Sequence, residues 1–206
     1  MLYDISPLLS PRLAVWPGDT PLSREVLCEI ERGGSVTLSS LRATAHLGAH
    51  ADAPSHYGRA APAIHERSLE LYVGRCQVVR VAATPGSLIG PDAVTGPVRA
   101  ERLLIKTGTF PDPERFRPDF SALRPELVDW LHGRGVRLVG VDTQSVDPFD
   151  SKDLPAHRRF LRHDMAILEG LVLADVPDGL YELIALPLRL EGFDASPVRA
   201  VLRTLG

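Results

Sequence analysis

The stretch "HLGAHADAPSH", His46–His56, concentrates three histidines and an aspartate in eleven residues. Imidazole packs less well than Leu or Val, and each ring nitrogen needs a partner when buried, so a segment serving only the core rarely gathers so many. His46 and His50 are four apart, which would align them on one helical face. His50 and Asp52 are two apart, which aligns them on one face of a strand. No single regular element serves all three. Gly48 supplies freedom for an unusual backbone between them, and Pro54 after small residues argues against a continuing helix, so the stretch is predicted to be a strand with a bend. Two imidazoles and a carboxylate converging from a bend make a site for a borderline metal with open coordination positions. His56, four residues past Asp52, reads either as a further ligand or as an unligated proton shuttle.

Outward from this stretch, Pro and Gly cut the chain into short β-branched runs: "EVLCEI", "QVVRVAA", "RLLIKTG", "VRLVGVD", "GLVLADV" and "YELIALPLRL". The central runs are apolar on consecutive residues, the pattern of strands covered on both faces, and predict a mixed, mostly buried sheet. Helices are predicted in "RPELVDWLHGRG", with Pro125 at its start and Leu127, Val128 and Leu131 on one side, and in "LPAHRRFLRHD", with Pro155 in the first turn and Leu154, Phe160 and Leu161 facing inward. No repeat or linker interrupts the 206 residues, so 1–206 reads as a single α/β domain.

Composition excludes several classes. With 23 basic against 26 acidic residues and a formal net charge of -3, the chain lacks the electrostatic footprint of a nucleic-acid binder, and Arg158, Arg159 and Arg162 read as a solvated helix face. No apolar stretch reaches the length of a membrane span, and the N-terminus has no basic region ahead of an apolar run, so a cytoplasmic location without membrane association is expected. Cys28 and Cys76 lie in separate strand-like runs and are expected to be buried, reduced thiols.

Glu169 lies in "MAILEGLVLADV", flanked by apolar residues. An isolated buried carboxylate costs several kcal/mol, so it must be paired, exposed near Gly170 or bound to a cation; residue type alone favours pairing or exposure. His157, among arginines, reads as a surface residue. Asp142 and Asp147 follow an apolar strand, where functional groups gather in α/β folds, although loop and cap roles suit them better. Trp16, before a Pro-Gly turn, packs on the core or stands at a pocket mouth.

With these residues in view, the chain resembles the bacterial kynurenine formamidases of the metal-dependent cyclase family. The family pattern His-x-Gly-Thr-His-x-Asp-x-Pro-x-His is matched by "HLGAHADAPSH" except that Ala49 replaces Thr. The likeness continues through "IKTGTFPDPERF", "GVRLVGVDTQSVDPFDSKDLPAHRRFL", "ILEGLVLADVPDGLYELIALPLRL" and "GFDASPVRAVLR". It implies a cyclase-like α/β fold of the swivelling β/β/α type, with a mixed, barrel-like sheet flanked by helices, assembled as a homodimer. It further implies two zinc ions: one on His46, His50 and Asp52, the second on Asp52, His157 and Glu169, with Glu169 also touching the first. Manganese accepts the same ligand types. His56 matches the catalytic acid/base and Trp16 a substrate-contacting aromatic. The implied substrate is N-formyl-L-kynurenine, with other amide or cyclic-imide hydrolysis, or zinc binding without catalysis, as alternatives.

Overall fold

Short strands separated by turns form most of the regular structure, as the spacing of Pro and Gly requires. The computed structural model describes residues 1–205. In chain order the elements are β1 (Leu2–Asp4), β2 (Ser23–Cys28), β3 (Leu38–Arg42), β4 (His50–Asp52), α1 (Pro54–Tyr57), β5 (Val73–Arg80), β6 (Leu88–Ile89), β7 (Arg102–Lys106) and β8 (Ala122–Leu123). The chain continues with α2 (Pro125–His132), β9 (Leu138–Val141), α3 (Pro155–His163), β10 (Ala166–Glu169), β11 (Gly179–Ile184), β12 (Ala195–Pro197) and β13 (Val201–Thr204). Nine strands form one mixed sheet in the order β1-β13-β11-β5-β7-β9-β10-β4-β12, curled into a half-barrel. Its centre, β5-β7-β9-β10, is parallel, and its flanks are antiparallel. The α/β expectation holds.

The consecutive apolar residues of the central strands divide between two cores. Leu104, Leu138 and Leu168 face one; Leu103, Ile105, Val139, Val141 and Ile167 face the other, beneath α2 and α3. Period-two alternation with both faces covered accounts for the unbroken apolar runs. Helix α2 begins at Pro125 and buries Leu127, Val128 and Leu131, as predicted.

Three expectations are corrected. The run "GLVLADV" forms no strand: β10 ends at Glu169, and Gly170, with a φ of 66°, turns the chain away. The hairpin β2–β3 is exposed along almost its whole length, so Cys28 is only half-buried, whereas Cys76 is buried in the core. On α3, Phe160 is buried, but Leu154 and Leu161 stay at the rim and His157 takes the inward position instead. Among the described residues no helix is long and apolar enough to cross a membrane.

Candidate metal centre

The bend before β4 has a physical cause. Gly48 has a φ of 61°, and Gly170, with a φ of 66°, approaches it so closely that a Cβ there would collide with the Gly48 carbonyl. This glycine contact brings the end of β10 against the start of β4. In that antiparallel register Glu169 pairs with His50, while Asp52 lies two residues along β4 on the same face.

Each imidazole is oriented by a bond on its far side. The Nδ1–H of His50 donates to the Gly48 carbonyl at 2.8 Å, and that of His157 donates to Asp147 Oδ2 at 2.7 Å. Both Nε2 lone pairs then face inward, the tautomer that outer hydrogen bonds impose on metal-binding histidines. Asp147 also accepts the backbone N–H groups of Ala156 and His157 at 2.9 and 3.0 Å, capping α3 while steering its ring.

The inward atoms converge on Asp52. Its Oδ1 lies 3.1 Å from His46 Nδ1 and 3.4 Å from His50 Nε2; its Oδ2 lies 3.4 Å from His157 Nε2. Glu169 completes the ring, with Oε2 3.4 Å from His50 Nε2 and Oε1 3.7 Å from His157 Nε2. Oε1 also accepts the Val146 N–H at 2.8 Å. Glu169 is therefore buried, with Oε1 on the Val146 N–H and Oε2 towards His50, and His157, placed at the surface by local pattern, is 2% exposed. Local pattern alone places His157 at the surface because the arginines beside it mark the outer face of a helix whose inner face it occupies; the family resemblance implies the inward position.

The fit to a cation rests on unsatisfied atoms. Both Asp52 oxygens and the Nε2 atoms of His50 and His157 are buried without a hydrogen-bond partner. Buried polar groups are nearly always bonded, and each orphan costs about 1–3 kcal/mol. Four orphans that converge, two imidazole lone pairs and a carboxylate, are the donor set of a divalent metal. Ligand atoms of His50, Asp52 and Glu169 lie within 4.8 Å of one another, as do those of His46, Asp52 and His56.

Electrostatics agree. Burial pulls the His50 imidazolium down, but Asp52 and Glu169 outweigh it and push its pKa up to about 10. Burial likewise opposes charge on His157, where Asp147, Asp52 and Glu169 push the pKa up to about 10. Desolvation raises Asp52, yet His157, His46 and His50 hold it well below the carboxylate range. The cluster thus has a strong appetite for positive charge, which protons or a metal can satisfy.

Above it lies a cavity of about 310 Å³ whose lining includes Trp16, His46, His56, Gln144 and Asp194. The His56 side chain is 35% exposed, with Nδ1 3.5 Å from Asp194 Oδ2. The same oxygen is 3.2 Å from His46 Nε2. Sequence reasoning missed Asp194; only its place in "GFDASP" hinted at it. Trp16 reaches the cavity wall with its ring 5.0 Å from Phe149 and 5.6 Å from Phe116. Ala49 is buried in the core, off the metal-facing surface.

The comparisons with known proteins follow the same lines. The Cyclase family model matches residues 3–148, more than half the chain. A structure described as a potential metal-dependent hydrolase with cyclase activity superposes with a TM-score of 0.85 at 25% identity, covering 98% of this chain and 96% of that one. A predicted metal-dependent hydrolase from Bacillus stearothermophilus gives 0.82 at 26% identity, covering 98% and 97%. Isatin hydrolase A from Ralstonia solanacearum gives 0.82 at 23%, covering 98% and 91%, and speaks for the fold alone. The match over residues 3–148, on a fold shared almost end to end, makes this chain a member of the cyclase family.

Proposed function

We propose that the protein is a zinc-dependent arylformamidase that hydrolyses N-formyl-L-kynurenine to L-kynurenine and formate. The observation that carries the reading is the Asp52 carboxylate, buried with neither oxygen hydrogen-bonded and faced by imidazoles on both sides. In this reading His46, His50 and Asp52 hold one zinc, and Asp52, His157 and Glu169 hold a second. The His-rich donor set favours zinc over manganese. Bound there, zinc supplies Lewis acidity: it makes water nucleophilic near neutral pH and polarises a carbonyl oxygen.

The chain's own residues do the rest. His56 stands at the cavity side of the cluster, its ring 4.3 Å from that of His46. It takes a proton from the attacking water and returns it to the arylamine nitrogen, which cannot leave as an anion. Asp194, facing His56 Nδ1, orients that ring. Trp16, braced by Phe149 and Phe116, offers an aromatic face to the kynurenine ring.

The aromatic wall also suits a fused cyclic aryl amide, which makes cyclic amide hydrolysis the second reading. The test is formate release from N-formyl-L-kynurenine by the purified protein, before and after chelation and with zinc restored. Chelator-sensitive release that zinc recovers supports the proposal. No release by metal-replete protein, with turnover of isatin, would replace it with the second reading.

A further inference from the structure

Strands β5, β7, β9 and β10 run parallel, so their carboxyl ends form one edge of the sheet, where ligands of open α/β sheets gather. The metal cluster takes only part of this edge, through Glu169 at the end of β10. A second cavity of about 200 Å³ lies beside it, with Gln144 lining both. Arg80, the last residue of β5, and Lys106, the last of β7, line this second cavity together with Asp142, which follows β9.

Lys106 is 5% exposed and forms no ion pair among the described residues. Its ammonium donates to the carbonyls of Ala174 and Val176, the latter at 3.0 Å, which engages two of three N–H groups and leaves the charge unneutralised. A buried, uncompensated ammonium is costly unless something anionic meets it. The Arg80 guanidinium, exposed at the same cavity, is likewise without an ion-pair partner among the described residues. Asp142 forms an ion pair with neither cation among the described residues; its oxygens are held by Thr107 N and Oγ1 and by Gly108 N, at 2.7–3.0 Å, and its charge offsets only one of the two. Among the described residues these are the only charged ones of the lining, two cations and one anion, so the wall carries a net +1. Phe110, Leu171 and Leu173 make much of the remainder apolar.

We infer that this cavity binds a small monocarboxylate with a short apolar body, its carboxylate between Lys106 and Arg80. A single negative charge neutralises the wall, and a dianion would overcompensate it beside Asp142. The inference rests on the cavity alone and holds whatever substrate the metal centre takes.

The test uses ¹⁹F NMR titration of the purified protein with 4,4,4-trifluorobutyrate, with 4,4,4-trifluorobutyramide as the uncharged control. Saturable binding of the carboxylate and none of the amide is expected. Arg80→Gln should weaken it about tenfold, the loss of one charge-assisted bond. Lys106→Met, checked first for a native unfolding transition, should abolish it. Glu169→Gln, at the metal cluster, should leave it unchanged. Equal binding of the amide, full affinity in Arg80→Gln, loss in Glu169→Gln or no saturable binding by the wild type would each overturn the inference. If Lys106→Met does not fold, the Arg80→Gln and Glu169→Gln arms decide.

Discussion

Two buried aspartates, one on the sheet and one just past the end of β9, have opposite surroundings. Asp142, at the end of β9, has its oxygens filled by three donors from the Thr107–Gly108 turn. Asp52, on β4, is more deeply buried, yet no donor bonds either oxygen. Both are carboxylates out of water, so the difference lies in what answers the charge. Around Asp142 two backbone N–H groups and the Thr107 hydroxyl do so permanently, and the carboxylate is structural. Around Asp52 the inward Nε2 atoms answer the charge only by holding a proton or a metal, and that is the condition of a site that takes up a cation.

Exchanging charge for an amide at the two positions should separate these roles. In Asp52→Asn, metal content should collapse and hydrolytic activity fall by about three powers of ten, the loss of several kcal/mol of charge stabilisation. Asp142→Asn should keep its metal and lose about 2–3 kcal/mol of stability in chemical denaturation, the worth of hydrogen bonds to a charged group. Elemental analysis of both variants is decisive: metal loss in Asp142→Asn, or full metal in Asp52→Asn, would erase the contrast.

Asp147 stands between the two cases, capping α3 as a structural group and steering His157 as part of the site. Asp147→Asn keeps one of the two acceptor oxygens, enough to cap the helix from one side, but no longer fixes the imidazole tautomer by charge. A loss of about 10–100-fold in metal affinity is expected, with little change in helix content by circular dichroism.

Metal removal sharpens the comparison through pH. In metal-free protein the folded pKa values of His50 and His157 are raised to about 10 from an ordinary 6.5. The stability this contributes is complete below about pH 6.5 and is lost as pH rises towards 10. Metal must displace those protons and binds better as they leave. The gain in Tm on adding zinc to chelated protein should therefore grow from pH 6.5 to 8.5. A flat or shrinking gain would mean that these imidazoles are not where the metal competes with protons.

How much of this was legible in the sequence follows from the range of each interaction. The β4 site segment could be read because His46, Gly48, His50 and Asp52 lie within one stretch whose spacing excludes a single regular element. The two-faced sheet could be read because an unbroken apolar run in a short strand needs cover on both faces. Glu169 and His157 could not be placed from local pattern. Their partners are set by the β4–β10 register and by the packing of α3, which depend on a glycine contact 122 positions apart in sequence, between Gly48 and Gly170. A loop or cap role suits Asp147 from its place after an apolar strand, and it does cap α3; its bond to the His157 ring follows from the packing of α3 and has no local signal. Asp194 lies nearly 150 residues from His46, and its place in "GFDASP" says nothing of that partner. The family likeness supplied His157 and Glu169 where spacing could not, because a pattern of residues spread along the whole chain carries long-range contacts with it.

The smallest expected effect belongs to Trp16, which lines the same cavity as the cluster and packs on aromatic neighbours of its own. Its ring already packs against Phe149 and Phe116 without any ligand. A substrate ring adds a contact made equally in ground and transition states, so it contributes uniform binding and no rate acceleration. Trp16→Ala should therefore raise KM about fivefold, the worth of one aromatic pair at about 1 kcal/mol, and leave kcat within about twofold. A fall in kcat at constant KM would mean that Trp16 positions the scissile group relative to His56. The site would then extend from the metal-facing carboxylates to the aromatic wall as one catalytic unit.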